Sequence, residues 1–212
     1  MKWKWAVLVG GRGSNLAALL RAGTDVRLVV SHRAGVGALD VARSAAVPAT
    51  VLEPGAFCDR AAYDQALLDV LVAAGVDGVV LAGFLRLLGP VVVDAFAGRL
   101  LNVHPSLLPA FPGLHAPRQA LAAGVRVTGT TVHFVDRGMD TGPIIAQVPV
   151  PVWPDDTEAT LTARIQAVEH RLLPRVVQLV EAGEVAWIDG RVRLAPRAAR
   201  ELSRWYGKNE ED

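Results

Sequence analysis

Cysteine is almost absent from this chain of 212 residues: Cys58 stands alone. One thiol cannot close an internal disulfide, and it lacks the clustered Cys/His spacing of a metal site, so the sequence points to a reducing cytoplasm and to no bound metal. Charge of one sign is equally scarce. A net charge of +1 leaves no electrostatic argument for nucleic acid or a membrane surface as a partner. No uninterrupted apolar run approaches the ~18 residues of a membrane span. The apolar run after Met1-Lys2-Trp3-Lys4-Trp5 is broken by Gly10-Gly11-Arg12-Gly13, too soon for the core of a signal peptide. What is plentiful is apolar residues, 51% of the chain, enough for the core of one globular domain.

Short apolar runs alternate with longer amphipathic ones through the first half. Strands are expected at 6–9, 26–30, 50–52, 78–81 and 100–103. Helices are expected at 14–22, 36–46, 59–74 and 90–96. That alternation predicts an α/β fold: a Rossmann-like open sheet, parallel in its N-terminal half and covered by helices on both faces. The second half changes character. Helix 116–123 precedes two longer alternating strands, 128–135 and 144–150, which predict antiparallel additions. Asp156-Thr157-Glu158 caps a long helix that runs to about Ala182 and stops at Gly183, with Pro174 expected to kink or split it. Strands 185–188 and 192–194, joined by Asp189-Gly190, predict a terminal hairpin. The division expected is one domain over 1–190, followed over 191–212 by the last hairpin strand and a charged tail, frayed at Lys208–Asp212.

Three local constellations carry possible chemistry. In Leu101-Asn102-Val103-His104-Pro105, period-two spacing turns the amide of Asn102 and the imidazole of His104 to the same side of a strand that Pro105 ends. A donor beside a titratable ring suits oxyanion stabilisation and proton movement, although a core Asn and a surface His would read the same way. The turn Gly10-Gly11-Arg12-Gly13-Ser14-Asn15 follows a strand and opens a helix, so its free N–H groups suit an anion; a tight turn alone is the plainer alternative. It lacks the Gly-Lys-Ser/Thr of a Walker loop, and Leu16 replaces the third glycine of a dinucleotide fingerprint. Asp140, in Asp136-Arg137-Gly138-Met139-Asp140-Thr141-Gly142-Pro143, either sits over the Asn102/His104 strand end and raises the imidazole pKa, or simply makes an Asx turn.

Taken together these segments resemble the folate-dependent formyltransferase family, and within it the enzymes that act on glycinamide ribonucleotide. The blocks are Gly13-Ser14-Asn15-Leu16; Leu81-Ala82-Gly83-Phe84-Leu85-Arg86; Gly98 through Pro109; Phe111-Pro112-Gly113-Leu114-His115; Gly138 through Pro143; and Gln166-Ala167-Val168-Glu169-His170. The third is common to the wider family, whereas the fourth and the last are more specific to the glycinamide ribonucleotide enzymes. The resemblance runs from Val7 to about Val185.

The resemblance implies a formyl transfer from 10-formyltetrahydrofolate to the glycyl amine of glycinamide ribonucleotide in purine biosynthesis, without metal, by a monomer or homodimer. It implies that Asn102, His104 and Asp140 are catalytic and that Gly13, Ser14 and Asn15 hold the 5′-phosphate. Glu169 would help place the amine. Leu85, Arg86, Leu87 and Leu88, with Asn102, would bind the pterin, and Arg60 would lie near the carboxylates of the folate tail. Gly10 and Arg12 depart from the family's more usual small or polar residues, with Arg12 either an added phosphate contact or solvated. Ala116-Pro117 is less polar than in many members. His32, His133 and His170 are expected to be structural, His133 as a packed or supporting residue.

Other readings weighed are a methionyl-tRNA formyltransferase, expected to add a basic C-terminal domain, and a formyltetrahydrofolate hydrolase, expected to add an N-terminal regulatory one. A non-catalytic nucleotide-binding module would use only the Gly13 turn and would have no need of Asn102, His104 and Asp140 together.

Overall fold

Strand β1 (Trp5–Val9) is buried along its whole length, as is β4 (Gly78–Ala82). Both are short, unbroken apolar runs, the pattern of strands covered on two faces. In this computed structural model, which describes residues 2–206, they lie side by side at the centre of a seven-stranded sheet of order β3-β2-β1-β4-β5-β6-β7. The remaining strands are β2 (Val26–Ser31), β3 (Ala49–Val51), β5 (Leu100–His104), β6 (Val127–Phe134) and β7 (Ile144–Pro151). Pairing is parallel from β3 through β5 and antiparallel from β5 to β7. The expected mixed sheet is therefore present.

Alternation along the strands divides the core. Val7, Val9, Val80, Ala82, Leu101 and Val103 face one cluster, packed with side chains of α1 (Ser14–Arg21), α2 (Gly37–Ser44) and α6 (Glu158–Glu181). Ala6, Leu8, Val79, Leu81 and Leu100 face the other, with α3 (Arg60–Ala73) and α4 (Pro90–Ala95). Because side chains two apart share a face, Asn102 and His104 follow Leu100 onto the α3/α4 side. The glycine turn that opens α1 lies on the opposite side.

The chain leaves β1 toward β2 and β3 on one side, then returns to β4 and β5 on the other. Neighbouring connections diverge at the β1/β4 boundary, and the carboxyl ends of the strands there form the crevice in which open α/β sheets bind ligands. Strands pack about 4.8 Å apart, so the end of β1 and the end of β5 stand roughly 10 Å from each other.

Two expectations are revised. Helix α6 is continuous over 24 residues with Pro174 inside it, so the proline does not split it. Its lost hydrogen bond is tolerated in a helix whose apolar face is packed along its length, Leu161 through Val180. Beyond the hairpin of β8 (Val185–Ile188) and β9 (Arg191–Leu194), a helix not expected from the sequence, α7 (Pro196–Ser203), starts on a proline and buries Ala198 and Leu202 in the main core. The hairpin turn is as expected, with Asp189 and Gly190 both at positive φ. The expected fraying at 208–212 lies outside the described residues. None of the helices among the described residues is long and apolar enough to cross a membrane.

Candidate active site

A cleft of about 320 Å³ opens at the carboxyl ends of β4 and β5, lined by 83–88, by 102–105 and by 113–115, with His133, 135–136 and 138–140 closing it. Asn102 and His104 both face it, as the period-two spacing predicts, and so does Asp140. The three side chains meet. Asn102 Nδ2 donates to Asp140 Oδ1 at 3.2 Å, and His104 Nδ1 lies 3.4 Å from Asp140 Oδ2. His104 is 5% exposed. Its Nε2 faces the carbonyl of Phe111 at 2.9 Å, an atom that can only accept, so Nε2 carries a proton. A ring with hydrogen on both nitrogens satisfies both neighbours; a neutral ring satisfies one. The pocket thus sets the His104 ring between a carbonyl oxygen and a carboxylate.

The backbone that delivers these groups is held in place. Asp140 sits at φ 55 and Phe111 at φ 53, conformations that L residues seldom adopt. Asp140 keeps its position because Oδ2 accepts from Gly113 N–H at 2.8 Å. Its loop is organised by Asp136, whose Oδ1 accepts from Gly138 N–H and from Thr141 Oγ1. Gly142 is required, since a Cβ there would lie 1.8 Å from the Phe134 carbonyl oxygen. On the other side, buried Thr131 donates to Ser106 O at 2.7 Å and accepts from Leu108 N–H at 3.1 Å, fixing the segment that carries Phe111.

His133 was expected to be structural, and it is buried at 2% exposure, yet it also contacts the Asn102 side chain. Its Nδ1 donates to Phe134 O at 2.7 Å, which leaves Nε2 as the acceptor for Asn102 Nδ2 at 3.1 Å. Burial lowers its pKa, against the opposing pull of the Phe134 carbonyl and Asp140. The contact follows from the sheet register, in which His133 pairs with Asn102 across the β5/β6 ladder, and residues along one strand carry no signal of it.

The glycine turn that opens α1 lies across the crevice. Gly13 adopts φ +85 and caps α1, and a Cβ there would meet Ala38 Cα at 2.6 Å, so only glycine fits. Asn15 Nδ2 donates to Glu169 Oε2 at 2.8 Å. Glu169 is 4% exposed, and burial raises its pKa while the Asn15 hydrogen bond opposes the rise. The structure therefore brings Glu169 to Asn15, not to the Asn102–Asp140 cluster. Gly10, the other departure, has a physical partner: a Cβ on it would lie 2.1 Å from His32 Cε1. The His32 ring stands edge-on to Phe84, centroids 4.9 Å apart.

Leu85, Arg86, Leu87 and Leu88 all line the cleft, Leu88 buried and Leu85 exposed. Arg86 lies over the Tyr63 ring. Arg60 Nη2 donates to the Leu87 carbonyl at 3.1 Å, so it borders the same loop. Among the described residues no three His, Cys, Asp or Glu side chains are grouped to hold a metal ion.

The sheet order places the chain among α/β proteins with a ligand crevice at the carboxyl edge, and residues 3–177 match the formyl transferase family. The chain belongs to that family. It is 45% identical over 204 residues to the phosphoribosylglycinamide formyltransferase of Escherichia coli, covering 90% of this chain and 95% of that one. It is 47% identical over 186 residues to the trifunctional purine biosynthetic protein adenosine-3 of Drosophila melanogaster, covering 84% of this chain but only 14% of that longer protein. The crystal structure of glycinamide ribonucleotide transformylase 1 from Symbiobacterium toebii superposes with a TM-score of 0.88 at 46% identity, over 91% of this chain and 94% of that one.

Proposed function

We propose that this chain is a phosphoribosylglycinamide formyltransferase, moving the formyl group of 10-formyltetrahydrofolate to the glycyl amine of glycinamide ribonucleotide in purine biosynthesis. The observation that carries the reading is the convergence of Asn102 and His104 on the one carboxylate of Asp140, at 3.2 and 3.4 Å. Two donors aimed at a single negative group are what a developing oxyanion requires.

The neutral amine attacks the formyl carbon directly. A C–N bond forms, and the carbonyl electrons move onto oxygen. The oxyanion takes over the N–H that Asn102 gives Asp140, while His133 keeps the other, and it lies beside the positive His104 ring. Asp140, its Oδ1 thereby released from Asn102 while Oδ2 stays held by the Gly113 N–H, accepts a proton from the attacking nitrogen through a water. That proton passes to N10 of the folate as the tetrahedral carbon expels it and the carbonyl reforms. The balance needs neither metal nor ATP.

The two substrates approach from opposite faces of the sheet. Gly13, Ser14 and Asn15 hold the 5′-phosphate on the α1/α6 side, and Glu169 helps place the amine from there. On the α3/α4 side Leu85, Arg86, Leu87 and Leu88, with Asn102, hold the pterin, and Arg60 meets the carboxylates of the tail. The roughly 10 Å between the two strand ends is the span of one ribosyl unit and its glycyl arm. Residues 1–190 act as one formyltransferase domain, onto whose core α7 docks beyond the hairpin, in the reducing cytoplasm that a lone exposed Cys58 suits.

The test is formyl transfer by purified protein with both substrates and no added metal or ATP, followed by the release of tetrahydrofolate. His104→Ala is expected to cost ~10²–10³ in kcat and Asp140→Asn ~10²–10⁴. Near-normal turnover in either variant overturns the mechanism, and absence of transfer by the parent protein overturns the function.

A further inference from the structure

Arg12 is the only charged residue of the turn 10–15, and nothing in the reaction above uses its side chain. Its backbone is packed: a Cβ on Gly37 would meet Arg12 O at 3.1 Å, and Ala38 N–H donates to Gly11 O at 3.1 Å. The guanidinium projects outward from this fixed base. It donates to Gln166 Oε1 at 3.3 Å and forms no ion pair among the described residues.

That placement is electrostatically uphill. Arg12 stands one residue before the cap of α1, at the positive end of the helix, and the first turn of α1 contains no acidic residue to offset it. On α6, the carboxylate of Glu169 is already given to Asn15. Gln166 lies one helical turn before Glu169 on α6, so the two α6 side chains project on the same side. Arg12–Gln166 and Asn15–Glu169 are therefore adjacent bridges over the same cradle.

We propose that Arg12 is a substrate-binding cation that reads the charge of a phosphate monoester in this cradle, with Gln166 holding its guanidinium over the Gly13–Asn15 turn. The inference rests on the reading of that turn as the phosphate site. A dianion seated there neutralises the guanidinium and the helix end together, and it offers the planar fork two oxygens at once. The backbone N–H groups recognise a tetrahedral anion, and Arg12 adds discrimination for its second charge.

Arg12→Ala and Arg12→Lys test this against the parent protein, with glycinamide ribonucleotide and the corresponding riboside lacking phosphate. Arg12→Ala is expected to raise KM for the ribonucleotide about tenfold with little change in kcat. The parent-to-variant ratio of kcat/KM should fall to about one for the riboside, and Arg12→Lys should lie between. An unchanged KM overturns the proposal and leaves the side chain merely solvated. An equal loss with the riboside also overturns it, because the effect would then lie in the turn. Inorganic phosphate titrated against thermal unfolding separates this inference from the function. If neither protein transfers formyl, the functional reading fails, while equal stabilisation of the parent and Arg12→Ala by phosphate would independently overturn the role of Arg12.

Discussion

Asn102 and His133 are joined by a 3.1 Å hydrogen bond from the amide Nδ2 to the ring Nε2, across paired positions of β5 and β6. The second amide hydrogen goes to Asp140. The amide plane is thus set by two fixed acceptors, and its orientation does not depend on bound substrate. Preorganised donors are effective because they need no reordering as charge develops.

Replacing His133 should expose that dependence. His133→Leu leaves the Asn102 donor and the Phe134 carbonyl unpaired, at a cost of about 1–3 kcal/mol of stability. The freed amide should lose roughly tenfold in kcat, the equivalent of ~1.4 kcal/mol. His133→Gln restores an acceptor toward Asn102 and should recover most of the rate. Equal rates for the Leu and Gln variants would show that the hydrogen bond does not orient Asn102.

Glu169 carries a pH signature of definite sign. Its folded pKa is raised above 4.5, chiefly by burial, so the folded state holds a proton that the unfolded chain has released. Stability is therefore lost as pH rises from about 4.5 through the folded pKa. Glu169→Gln still accepts from Asn15 and escapes this loss. Its melting temperature should exceed that of the parent at pH 8, with the gap closing toward pH 4.5. A gap independent of pH would exclude ionisation of Glu169 as the cause.

Acid should weaken the fold through its histidines. His32, His133 and His170 all have pKa values lowered below 6.5, in each case chiefly by burial. The unfolded chain binds their protons more readily, so stability falls as pH drops below about 6.5. Urea midpoints measured from pH 7.5 to 5.5 should decline, and the decline should be shallower in His133→Gln.

Gly10 and His32 form a packing pair. Gly10→Ala would drive a Cβ into the His32 ring and is expected to cost about 1–3 kcal/mol. His32→Ala removes the tighter clash and leaves the Gly83 carbonyl oxygen at 2.9 Å, so the double variant should recover part of the loss and be more stable than the sum of the single effects requires. Simple additivity in that cycle would mean that the ring does not constrain position 10.

The Asp140 loop offers a contrast between two glycines. At Gly142 an added Cβ meets backbone, the Phe134 carbonyl oxygen at 1.8 Å; at Gly138 it meets the Thr141 hydroxyl at 2.0 Å, a side chain that can rotate. Gly142→Ala should shift the loop and reduce kcat at least tenfold through displacement of Asp140. Gly138→Ala should cost much less. Comparable losses would point to loop flexibility as the common cause.

Much of this was legible along the chain because the relevant signals are local. Unbroken apolar runs such as Val7–Val9 and Val79–Leu81 announce strands buried on both faces, and the alternation at Asn102 and His104 places both on one side. The long helix was legible from its cap, where Thr157 and Thr160 exchange hydrogen bonds. Helix α7 was not, because Pro196-Arg197-Ala198-Ala199-Arg200 shows only two small apolar residues, and its register is decided by the core that receives Ala198 and Leu202. His133 was assigned to packing because a histidine alternating along a strand shows no sign of what lies across the ladder.

Sequence by itself determined the strand–helix order, the glycine-bearing turn before α1, and the resemblance that linked Asn102, His104 and Asp140. Those depend on periodicity, backbone conformational preference and residue type, all of which are carried by neighbours in the chain. Only the tertiary structure decided that Asn102 and His104 turn to a single carboxylate, that His133 supports the amide, that Glu169 lies with Asn15, and that His32 demands a glycine at position 10. Each of these is a contact between groups many residues apart, set by sheet register and packing to a fraction of an ångström.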